Sequence, residues 1–157
     1  MIQTTGTVPC QGSTVESDPW VPLQISWHDN GRQPLYLMVT GTSGGYVEIK
    51  VDPETGALVG LTVIDLPTTV DSAAPETSGR TEEAVVPTLD VALWPHRDQL
   101  ATDRRVARAE CDLGHGRSPG RFALVFSAEP SSRRTRCGGT TVELSANGEL
   151  TRVIANI

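Results

Sequence analysis

Beginning at Trp20, apolar and polar residues alternate with a period of two over several short stretches of the chain. In residues 21–27, Val21, Leu23, Ile25 and Trp27 hold the odd positions, and most even positions are polar. That period matches side chains alternating across a strand with one buried face. His28-Asp29-Asn30-Gly31 supplies turn chemistry. Residues 35–40 form a short, mostly apolar run, and 41–45 a glycine-rich turn. In 46–51 the alternation returns, with Val47, Ile49 and Val51 on one face. Asp52-Pro53-Glu54-Thr55-Gly56 then leads into an apolar run over 57–65. Pro53 presets φ at the first turn position, and Gly56 can take the positive φ of a closing bulge. The pattern predicts a four-stranded antiparallel meander over residues 20–66.

The alternation stops at Pro67. Residues 67–88 hold Pro67, Pro75 and Pro87 with Asp71, Glu76, Glu82 and Glu83, and read as one long acidic loop. Loops of that length inside a compact domain are uncommon unless they carry function. Strand patterns resume at 89–94 and recur at 106–113, 121–128, 141–145 and 149–156. Residues 129–139 read as a polar loop. Residues 95–105 read as a loop or a short helix, and a helix over 98–109 also fits. Asn147-Gly148 marks a tight hairpin. Residues 1–19 read as an irregular arm or a weak edge strand ahead of a single β domain over 20–157, whose second half is 89–157. The expected fold is all-β, an antiparallel sandwich or open barrel of eight or nine strands with room for one short helix. Gly44-Gly45-Tyr46-Val47-Glu48-Ile49 resembles Gly138-Gly139-Thr140-Thr141-Val142-Glu143-Leu144, which suggests two repeated meanders. The expected core comprises Val21, Leu23, Ile25, Trp27, Leu37, Val39, Val47, Ile49, Val51, Leu61, Val63, Leu93, Phe122, Leu124, Phe126, Val142, Leu144 and Val153.

Composition adds limits. The 157 residues suit one domain. No apolar stretch reaches the length of a transmembrane helix, and the start lacks the basic-then-apolar pattern of a signal peptide. Three cysteines, an odd count without a visible leader, point to a reducing cytoplasm, with a bridge such as Cys111–Cys137 left open. Charge is uneven. Residues 1–90 carry 12 acidic against three basic residues, a net of −9; residues 91–157 carry seven against ten, a net of +3. A net-acidic chain is a poor non-specific nucleic-acid binder, because phosphate affinity comes from concentrated Lys and Arg. The arginines at 104, 105 and 108, and at 133, 134 and 136, read as solvated strand and loop faces.

Candidate chemistry is sparse. Gly41-Thr42-Ser43-Gly44-Gly45 fits G-x-S-x-G, but a nucleophile elbow needs a helix after the turn, and a strand follows here. Cys111 and His115 have a metal-like spacing without the second close pair that zinc requires, so no metal is expected. There is no Walker loop, dinucleotide fingerprint or H-E-x-x-H motif, and no cofactor is expected. His28, His96, Asp98 and His115 are the residues that could converge in a cleft as acid–base groups.

The hairpin style of residues 51–60 resembles small β-rich proteins of GC-rich bacteria, some of them immunity proteins to intercellular toxins. The bias of 12 Arg to one Lys also suits a GC-rich genome. The resemblance covers a hairpin or two and assigns no residue. The lack of a catalytic constellation, the acidic N-terminal part and the acidic loop point to a non-catalytic protein-binding module, and the resemblance implies that it occludes a toxin domain, with an acidic face suited to a basic toxin or nuclease. Asp71, Glu76, Glu82 and Glu83 are then the expected contacts. The alternatives are a small-ligand binder or enzyme with a histidine cleft, and a structural or oligomeric component such as a phage or shell protein. An exposed edge strand or a large apolar patch would favour the last.

Overall fold

The computed structural model describes residues 1–27, 31–70 and 79–157. Among them are 15 strands and two short 3-10 turns. The strands are β1 (Thr4–Pro9), β2 (Ser13–Glu16), β3 (Leu23–Trp27), β4 (Leu35–Gly41), β5 (Tyr46–Val51), β6 (Leu58–Asp65), β7 (Thr68–Thr69) and β8 (Arg80–Glu83). They continue as β9 (Val85–Leu89), β10 (Val106–Cys111), β11 (Gly114–Ser118), β12 (Arg121–Val125), β13 (Ser131–Cys137), β14 (Thr140–Ser145) and β15 (Leu150–Asn156). The 3-10 turns are Val91–Leu93 and Thr102–Arg105.

A six-stranded sheet in the order β10-β4-β5-β6-β3-β2 and a seven-stranded sheet in the order β7-β11-β12-β15-β14-β13-β8 make a sandwich. A two-stranded ribbon, β1-β9, flanks them. The all-β class follows from the alternating runs. Both sheets are built on the same plan. The order β4-β5-β6-β3 in one matches β13-β14-β15-β12 in the other. In each, three strands form a meander and the strand preceding them returns beside the last, a Greek key. The plan extends outward. A parallel strand flanks each meander, β10 on β4 and β8 on β13, and an antiparallel strand flanks each returning strand, β2 on β3 and β11 on β12. The similarity of the Gly44-Gly45 and Gly138-Gly139 segments therefore falls at equivalent turns. The partner of β4 in the repeat is β13, within the stretch that sequence reads as a polar loop.

The inward faces form one core. Leu23, Ile25, Leu37, Val39, Val47, Ile49, Leu61 and Val63 come from one sheet, and Phe122, Leu124, Val142, Leu144 and Val153 from the other. Each such side chain contributes about 1.5–3 kcal/mol when fully buried. Trp27 crosses the sandwich, its indole N–H donating to Thr140 Oγ1 at 2.9 Å. Two expected core members differ. Val21 is only half-buried, because it belongs to the turn before β3. Leu93 is 50% exposed and its neighbour Trp94 is buried instead. The 3-10 turn breaks the period-2 pattern there, and the Trp94 indole reaches Tyr36 O at 2.9 Å.

Residues 1–19 are not an irregular arm. β1 pairs with β9, β2 pairs with β3, and Ile2 is buried, with Leu150 N–H bonded to its carbonyl. Cys10 is bonded to Cys137, not Cys111 to Cys137, and Cys111 is a buried free thiol. The acidic stretch 67–88 carries β7, β8 and β9, so it is no single loop. These strands lack alternation because each lies at an edge or in the flanking ribbon. The segment 95–105 holds no α-helix; it carries a turn over 95–98 and the 3-10 turn Thr102–Arg105.

The two predicted turns form, with one difference. At Asp52–Gly56, Asp52 Oδ1 accepts from the N–H groups of Glu54 and Thr55, and Gly56 sits at φ +76° as the bulge. At Ser145–Glu149, Gly148 N–H bonds Ser145 O and only Gly148 takes positive φ, +79°. That is a three-residue loop, Ala146–Gly148, closed by a glycine bulge, with Asn147 outside the positive-φ region.

Candidate functional site

Strands β2, β4, β6 and β10 run toward one end of the six-stranded sheet, and β3 and β5 start there. Among the described residues of the predicted histidine cleft, His115 lies apart from His96 and Asp98. His115 is buried near this end, where its Nδ1 lies 2.6 Å from Pro67 O. A carbonyl only accepts, so Nδ1 carries the proton. The ring stacks on Phe122 at 5.6 Å between centroids, and Arg117 lies 5.1 Å over the same Phe122 ring. His115 thus ties β7 and the segment after β6 onto β11. His96 and Asp98 are exposed at the opposite end of the sheet, in the segment after Trp94. That segment is held by Arg105, a buried guanidinium that donates to the carbonyls of Gln33, Pro34, Arg97 and Gln99. The length of the seven-residue β4, about 20 Å, separates the two ends. His28 lies outside the described residues.

The predicted acidic contacts are only partly in view. Asp71 and Glu76 lie outside the described residues. Glu82 and Glu83 sit on β8, an edge of the seven-stranded sheet. Glu83 pairs with Arg136 at 2.9 Å, and Glu82 accepts a long bond of 3.4 Å from Thr7 Oγ1. Ser43 lies in the β4–β5 turn, where its carbonyl accepts from Thr68 Oγ1. Among the described residues no group of three or more His, Cys, Asp or Glu side chains could hold a metal ion. No helix among them is long and apolar enough to cross a membrane.

Three features escaped the sequence reading. The first is a charge ladder on the outer face of the seven-stranded sheet. Arg134, Glu143 and Arg152 stand opposite one another across β13, β14 and β15. Glu143 is buried and accepts from Arg152 Nε at 2.8 Å and Ser131 Oγ at 3.0 Å, with Arg134 at 3.8 Å. Alternating charges in neighbouring strands were visible, but the register that joins them was not.

The second is a trough of about 330 Å³ on the outer face of the six-stranded sheet. Tyr36, Lys50, Gly60 and Ser26 form one cross-strand row, in which the Lys50 stem lies over Gly60. Gln24, Thr62 and Arg32 complete its polar wall.

The third is an exposed tryptophan. The β2–β3 connection is a braced turn in which Asp18 Oδ1 accepts from the N–H groups of Trp20 and Val21, both at 2.7 Å. Asp18 N–H returns a bond to Val21 O, and Ser17 Oγ donates to Pro22 O. The indole of Trp20 at its tip is 90% exposed. Asp at that offset from Trp20 was a legible turn signal at the close of the stretch read as an irregular arm or weak edge strand.

Burial pushes the Cys111 thiol above the ordinary thiol range, which makes it a poor nucleophile. No protein-family model matches the chain, and no curated protein matches it.

Proposed function

We propose that this chain is a non-catalytic protein-binding module, of the kind that occludes a basic toxin or nuclease. The observation that carries the reading is the segregation of charge between the two sheets. The strands of the seven-stranded sheet hold Arg80, Arg117, Arg121, Arg133, Arg134, Arg136 and Arg152 against only Glu82, Glu83 and Glu143. Its two best-formed ion pairs spend Glu83 and Glu143 on those arginines. The end of the six-stranded sheet where β2, β4, β6 and β10 finish carries Glu16, Asp18, Asp65, Glu110 and Asp112, with no Lys or Arg in the segments that form it. A molecule polarised in this way orients a charged partner during encounter and speeds association. The Cys10–Cys137 bridge supports an oxidising compartment over the reducing cytoplasm expected from the cysteine count.

The test is affinity capture of the tagged chain from its host's lysate and envelope fractions at low and moderate salt, with the retained proteins identified by mass spectrometry. A single stoichiometric basic partner, weakened as salt rises, is the expected result. No partner at either salt contradicts the reading. The trough over Gly60 favours a second reading, a small polar ligand held by Lys50, Tyr36 and Gln24. A compound that raises the melting temperature of wild type and not of Lys50→Ala would establish it.

A further inference from the structure

We propose that the end of the six-stranded sheet displaying Trp20 is the docking surface, that Trp20 is its anchor, and that its occupant is a basic protein. The proposal rests on the binding-module reading and names the surface that performs it. Leu23 pairs with Val63 in antiparallel register, so the chain before Leu23 runs beside the chain after Val63. Trp20 therefore shares this end with Ile64 and Leu66, which are 49% and 40% exposed. Of the eight large apolar side chains exposed among the described residues, these three share one end and include the most exposed of all, Trp20, and exposed apolar groups so grouped are the pattern of an interaction site.

The tryptophan is also prepared for contact. The other two tryptophans donate their indole N–H groups, Trp27 to Thr140 and Trp94 to Tyr36. Among the described residues the indole N–H of Trp20 has no acceptor. Four hydrogen bonds fix the turn beneath it, so little backbone freedom is lost when a partner closes over the ring. Tryptophan is enriched among the residues that dominate interface energy.

Charge selects the occupant. The segments that make this end, residues 16–23, 40–46, 63–70 and 110–113, contain Glu16, Asp18, Asp65, Glu110 and Asp112 and not one Lys or Arg. An apolar centre within an all-acidic rim complements a basic surface and repels an acidic one. Glu82 and Glu83 lie on the other sheet, with Glu83 neutralised by Arg136. They are not part of this surface.

The test uses the full chain, immobilised, and a displayed library of random dodecapeptides. Peptides enriched on wild type are synthesised and titrated against wild type, Trp20→Ala, the double variant Ile64→Ala and Leu66→Ala, and the double variant Glu82→Gln and Glu83→Gln. The expected winners carry net positive charge with an aromatic or aliphatic residue, and their binding weakens as salt rises. Trp20→Ala lowers affinity about tenfold or more. The Ile64/Leu66 variant also weakens binding, and the Glu82/Glu83 variant matches wild type. Unchanged melting temperatures confirm that the variants are folded. Winners that are neutral or acidic, winners indifferent to Trp20→Ala, or no enrichment would overturn the proposal. So would a wild-type dimer in sedimentation that Trp20→Ala dissociates, or Trp20-dependent binding to phosphatidylcholine vesicles. A partner captured from lysate that ignores Trp20→Ala sinks this surface and leaves the binding-module reading standing. The absence of any captured partner sinks that reading instead.

Discussion

Glu143 faces outward from the seven-stranded sheet and is nevertheless buried, because the stems of Arg134 and Arg152 lie on either side of it. Removing a buried charge that pairs others leaves those partners uncompensated. Glu143→Ala should therefore cost about 3 kcal/mol in urea denaturation. Gly56 shows the other residue-scale constraint. At φ +76° an added Cβ would also run into Leu89 O, so Gly56→Ala should cost more than about 1 kcal/mol. Cys111 links stability to pH. Its thiol is raised in the folded state, so the folded chain holds that proton more tightly than the unfolded chain. The associated stability is present below the ordinary thiol pKa and is lost as pH rises through the raised one. The urea midpoint should fall at alkaline pH more steeply for wild type than for Cys111→Ala.

Strands β3, β5, β6, β12, β14 and β15 were legible because each buries one face against the opposite sheet and so alternates apolar with polar residues. β13 was not. Its inward positions include Thr135 and Cys137 and its outward ones Arg134 and Arg136, so burial leaves no apolar period to read. β8 was missed, and β1 and β2 were legible at most as a weak edge strand somewhere in 1–19, because an edge strand is specified by its neighbour's unpaired backbone more than by its own side chains. The histidines were visible as residue types, but their separation depended on the order of strands. The bridge joins the first and last of these poorly signalled regions across 127 residues of chain. Reducing it should lower stability by about 2–5 kcal/mol. Denatured without reductant, the protein should show one titratable thiol, Cys111; three thiols would contradict the Cys10–Cys137 bridge.

Two Greek keys of the same plan, packed face to face, make a molecule whose sheets differ mainly in surface charge. The interior is apolar on both sides, and the arginines of one sheet are partly neutralised by Glu83 and Glu143. What distinguishes the Trp20 end of the other sheet is that its segments hold five acidic residues and no Lys or Arg beside exposed Trp20, Ile64 and Leu66. Association at such a surface is governed by long-range attraction, so its rate should fall steeply with ionic strength, while dissociation tracks the apolar contact. The most direct test is parallel capture from the same lysate by wild type, by Trp20→Ala and by the rim-reversed double variant Glu16→Lys and Asp65→Lys. Docking at this end through Trp20 requires one basic protein retained stoichiometrically by wild type, reduced on Trp20→Ala and lost on the reversed rim. Equal retention by all three, or no retained protein on wild type, would contradict it.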